Sequence, residues 1–103
     1  MKILTMPRRS GKTTLAIKES ARTGWVIVCP TYQHAHVIKD MAKSMGVDIP
    51  EPIPITEFST LLSKGRRVEG VIIDDLDECL FMLFCTSVRM ITLSPPPPSE
   101  VIE

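Results

Sequence analysis

Two short stretches combine residue types that phosphate chemistry requires. The first is "PRRSGKTTL", residues 7–15, and the second is "VIIDD", residues 71–75. In the first, the backbone N–H groups of residues 9–13 can point inward around a phosphate, and the start of the following helix adds its partial positive charge. Lys12 would reach the β- and γ-phosphates of a nucleotide, and Thr13 would offer its hydroxyl to Mg²⁺. Gly11 lets the backbone approach a phosphate closely. The full loop pattern is G-x-x-x-x-G-K-[ST]; here Met6 stands at the first glycine, so only Gly11, Lys12 and Thr13 match it. A bare Gly-Lys-Thr is a common way to begin a helix. The apolar run before it and the helix-forming run after it are what give it weight.

The second stretch is apolar until it ends in acids. Asp74 would hold Mg²⁺ through water. Asp75 stands where a carboxylate could align or deprotonate an attacking water. Asp is one methylene shorter than Glu, so Glu78, one helical turn on, is the substitute for that role. Acids in "DDLDE" would also suit a helix N-terminus through the dipole alone, and both readings can hold together.

These residues need a scaffold. "KILTM", 2–6, reads as a buried strand stopped by Pro7, and 12–22 as a helix with Gly24 beyond its end. "WVIVC", 25–29, is continuously apolar, as a strand covered on both faces would be. Residues 33–45 carry Val37, Ile38, Met41, Ala42 and Met45 at helical spacing, closed by Gly46. "IPEPIPIT", 49–56, suits an edge strand, because proline cannot donate to a ladder. Thr56 is then a candidate N-cap for a short helix. "VIID" reads as a further apolar strand, 76–86 as a helix and "VRMITL", 88–93, as the last strand, before "SPPPPS" ends regular structure. Strands alternating with helices predict a parallel sheet with helices on both faces.

The chain has 103 residues, which bounds it to one domain: residues 1–94, with a Pro-rich tail over 95–103. A 44% hydrophobic and 23% charged composition is that of a globular protein and excludes a disordered one. Net charge is zero, yet residues 1–47 carry eight Lys/Arg against two acids, and residues 48–103 four against ten. Such asymmetry marks either an anion-binding half or two halves that pair. Cys29, Cys79 and Cys85 lie in apolar surroundings and read as buried free thiols. The longest apolar runs are too short for a signal peptide or a membrane span. The expected location is therefore cytoplasmic, with no membrane partner.

"PRRSGKTT", "VIVCPTYQHA", "VIIDD" and "ITLSPPP" follow one another in the order seen in RecA-like motor ATPases. The chain most resembles the ATPase cores of phage terminase large subunits and of superfamily one and two helicases. The resemblance implies a three-layer P-loop NTPase with a five-stranded, mainly parallel sheet of order 3-2-4-5-1, binding ATP and Mg²⁺. It makes Arg9, Ser10, Gly11, Lys12, Thr13 and Thr14 the nucleotide-binding set, and Thr13 and Asp74 the metal residues. It assigns Arg8 to the γ-phosphate, with Arg9 as its substitute, and Ser94 as the γ-phosphate sensor. Lys12, Asp75 and Glu78 complete the catalytic set. Tyr32, His34 and His36 follow the second strand, where helicase relatives contact single strands; a polar helix start with solvent-facing rings explains them as simply. The implied setting is phage DNA replication, recombination or packaging, in the host cytoplasm if a phage encodes the chain. In the implied sheet the P-loop strand is an open edge, which a homodimer, a DNA-processing partner or the Pro-rich tail would cover. A nucleotide-dependent switch without useful turnover is the alternative. Thymidine kinases share the "SGKT"-type loop and are a second resemblance, without their zinc-binding cysteine pairs here.

Overall fold

The computed structural model describes residues 1–7, 11–65, 67–94 and 100–102. In chain order the elements are β1 (Lys2–Leu4), α1 (Lys12–Thr23), β2 (Val26–Cys29), α2 (Tyr32–Met45), β3 (Ile53–Pro54), α3 (Ile55–Ser63), β4 (Val71–Ile73), α4 (Leu76–Phe84) and β5 (Glu100–Ile102). The architecture is α/β, and its centre is a three-stranded parallel sheet of order β3-β2-β4.

β2 is buried along its whole length, as four consecutive apolar residues in a central strand require. Its Ile27 and Cys29 point to one face, where Ala16 and Ile17 of α1 and Ala35, Ile38 and Ala42 of α2 pack on them. Ile17, Ile27 and Ile38 are fully buried. Each such side chain contributes about 1.5–3 kcal/mol of transfer free energy. Both helices start and stop where their terminal residues dictate. Thr31 Oγ1 accepts the His34 N–H at 3.1 Å, which caps α2. Gly46 closes it in the left-handed conformation, φ 71°, and Val47 N–H reaches back to Ala42 O at 3.1 Å.

The five-stranded sheet of order 3-2-4-5-1 is not formed. Residues 88–93 are irregular chain, and among the described residues no strand joins β4 and β1 in one sheet. β1 instead pairs in parallel with β5, placing Lys2 opposite Glu100 and Leu4 opposite Ile102. The physical reason is cover. An apolar run becomes an inner strand only where an edge and flanking helices both meet it, and Val88, Met90, Ile91 and Leu93 stay exposed. For the same reason β4 is not buried on both faces: Val71 and Ile73 remain 40% and 45% exposed. β1, expected to be an open edge of the larger sheet, has a strand of the C-terminal tail paired along one side. Pro95–Pro98 lie outside the described residues.

Smaller corrections concern termini. Pro54, not Thr56, precedes the first residue of α3, because its fixed φ of −62° lets the helix start at Ile55. Cys85 is exposed, at the left-handed C-cap of α4, while Cys29 and Cys79 are buried. β3 is an edge strand of two residues, with proline ending its ladder. Among the described residues no helix is long and apolar enough to cross a membrane.

Candidate functional site

Three elements meet at the C-terminal ends of β2 and β4, the end of a parallel sheet where ligands usually bind. α1 brings Gly11, Lys12 and Thr13. Gly11 is the N-cap of α1, with φ 91°, a conformation side chains other than glycine's rarely adopt. β4 delivers Asp74, whose backbone N–H extends the ladder to Val28 O at 2.9 Å. α2 brings His34 in its first turn.

These residues converge on one atom. Thr13 Oγ1 donates to Asp74 Oδ2 at 3.0 Å, across 61 positions of sequence. His34 Nε2 lies 3.1 Å from the same oxygen. Asp74 is only 6% exposed. A carboxylate this buried needs partners for its charge, and here it has two.

Next to it stands an acidic group. Asp75 caps α4 in the left-handed region, φ 63°, where Asp is one of the few tolerated side chains. Burial pushes its carboxyl up to about 6, helped by a hydrogen bond and charge repulsion from Asp77 and by repulsion from Glu78. The hydrogen bond from Asp75 in turn holds Asp77 below the usual carboxylate range. The charge of Lys12 opposes the rise at Asp75 and favours ionised Asp77. Glu78 occupies the same first turn and is exposed.

Lys12, Thr13, Asp74, Asp75 and Glu78 are thus gathered around the starts of α1 and α4. Thr14 differs: its side chain lines an open depression of about 410 Å³ with Val37, Met41 and Met45 of α2. Ser94 is exposed at the end of the irregular segment rather than on a strand. Arg8, Arg9 and Ser10 lie outside the described residues. Two participants escaped the sequence reading. Asp77 was legible only as a helix-start acid. His34 was read as a base-stacking or solvent-facing ring, yet its side chain is 27% exposed against Asp74. The missed signal is Thr31: by capping α2 on the His34 backbone N–H, it sets His34 in the first turn, beside the strand ends.

Thr13 and Asp74 are the residues that could hold a magnesium ion. A hydroxyl and one carboxylate supply hard oxygen ligands, and among the described residues no cluster of three or more His, Cys, Asp or Glu forms an all-protein cage. Mg²⁺ at nucleotide sites is held in this way, by one or two protein groups together with phosphates and water. No protein-family model, no curated protein and no solved structure matches the chain.

Proposed function

We propose that the chain is a Mg²⁺-dependent nucleotide-binding protein that hydrolyses ATP. The observation that carries this reading is the 3.0 Å bond from Thr13 to Asp74. A hydroxyl in the first turn of α1 and a strand-end carboxylate meet across 61 positions of sequence. Lys12 would neutralise phosphate charge, and the N–H groups at the start of α1 would hold phosphate oxygens. Bound Mg²⁺ would polarise the terminal phosphoryl group. Asp75 would orient the attacking water, since a carboxyl titrating at about 6 is mostly ionised at neutral pH yet basic enough to accept a proton. Action in DNA metabolism, alone or with a DNA-processing partner, rests on the sequence resemblance and not on the site.

A second reading, nucleotide binding as a switch without useful turnover, is favoured by one feature. Ser94, the expected sensor of the γ-phosphate, is not carried on a strand beside the site. Titration with a fluorescent ATP analogue and Mg²⁺, paired with a phosphate-release assay, separates the two. Wild type should bind, and Lys12→Ala and Asp74→Asn should bind 10–100-fold more weakly, the loss expected for one charge-assisted contact. Binding without phosphate release selects the switch. Absence of binding by wild type removes both.

A further inference from the structure

We propose that His34 is a third protein residue of the cation site, and that its imidazole nitrogen biases the site toward Mn²⁺ or Co²⁺ over Mg²⁺. The inference rests on the metal-and-nucleotide reading above and deepens it by naming the class of ion.

The geometry is that of a donor set. Thr13 Oγ1 and His34 Nε2 stand 3.0 and 3.1 Å from Asp74 Oδ2. Adjacent ligand atoms around an octahedral ion with bonds near 2.1 Å are themselves about 3 Å apart. Both separations are hydrogen-bond lengths that equal this spacing, so an ion beside Asp74 Oδ2 would meet the Thr13 and His34 atoms once the hydroxyl proton turns away and the imidazole proton sits on Nδ1. The three atoms come from three elements, α1, β4 and α2, each fixed independently. The His34 backbone N–H is held by Thr31 Oγ1 at 3.1 Å, the Asp74 N–H by Val28 O at 2.9 Å, and Thr13 lies one residue inside the start of α1. The carboxylate is buried, while the imidazole retains 27% exposure, leaving one side open. Two oxygens alone favour Mg²⁺. An added neutral imidazole is a poor ligand for Mg²⁺ and a good one for first-row transition ions.

The decisive measurement is pulsed electron paramagnetic resonance of Mn²⁺ on the whole chain, with Mn²⁺ alone and with Mn²⁺ plus a non-hydrolysable ATP analogue. Wild type should show nitrogen modulation from a directly bound imidazole. His34→Gln should lose it, because the amide can still donate to Asp74 but offers no ring nitrogen. The preference for Mn²⁺ over Mg²⁺ in nucleotide binding should fall about tenfold in His34→Gln, the scale of loss for a residue that tunes a metal. Circular dichroism melts confirm that the variant folds. Bound Mn²⁺ without nitrogen modulation, or an unchanged preference in His34→Gln, overturns the proposal while leaving nucleotide binding intact. If neither ion supports nucleotide binding, the functional reading falls, and the Mn²⁺-only arm still decides His34. Modulation there supports it; no bound Mn²⁺ overturns it.

Discussion

The indole of Trp25 lies so close to Gly70 that a methyl group added there would stand 3.1 Å from its Cδ1 and Nε1. Gly70 precedes β4 and Trp25 precedes β2, so this contact sets the spacing of two paired strands at the end away from the site. Gly70→Ala should force the ring outward and cost about 1 kcal/mol, the low end for overpacking because Trp25 is 37% exposed. In a domain of this size that lowers Tm by about 4–8 °C. Trp25 is the single tryptophan, so its emission reports the shift directly. An unchanged spectrum and melting point would show that the two residues do not touch.

The bond between Thr13 and Asp74 is measurable without any nucleotide. Thr13→Val keeps the shape and removes the donor; Asp74→Asn keeps the shape and removes the charge. A double-mutant cycle on urea stability should give a coupling of about 1 kcal/mol, and more toward the range of about 1.5–3 kcal/mol for a hydrogen bond to a charged group. Zero coupling would mean that α1 and the end of β4 are not in register, and the proposed site would lose its frame.

What was legible in the sequence followed from local chemistry. Gly24 and Gly46 end their helices because each takes the left-handed conformation that a cap needs. Thr13 and Asp74 were legible only as two expected holders of one Mg²⁺ ion; their direct hydrogen bond was not. What was not legible depended on neighbours. The apolar run 88–93 has the composition of a strand, but composition does not say whether an edge and a covering helix are there to meet it. Cys85 sits in apolar sequence yet is exposed, as are Phe81, Met82, Leu83 and Phe84 before it, because no element covers the last turn of α4 among the described residues. His34 was misread because its partner lies 40 positions away.

The thiols test the burial pattern. Burial raises Cys29 to about 11 and Cys79 to about 12, so neither forms appreciable thiolate at pH 8. Cys85 is exposed. A thiol reagent at pH 8 should therefore modify one cysteine rapidly in the native chain and all three after denaturation, with Cys85→Ser abolishing the fast phase. Rapid modification of two or three native thiols would contradict the burial of Cys29 and Cys79.

Asp75 gives the pH dependence a sign. Its folded value of about 6 lies above the ordinary value of 3.8. A carboxyl raised on folding favours the native state while protonated. Its contribution is fully present below about pH 4 and is lost as pH rises through about 6. Asp75→Asn removes the charge, keeps a donor toward Asp77 and tolerates the left-handed backbone at φ 63°. The variant should match wild type near pH 4 and melt higher at pH 7.5, with the gap opening between those limits. In the same variant phosphate release should fall while nucleotide affinity holds, because Asp75 is assigned to the water and not to the phosphates. A gap in melting temperature that does not change with pH would show that Asp75 is not desolvated. Intact phosphate release would move the water-orienting role to Glu78, one turn further along α4.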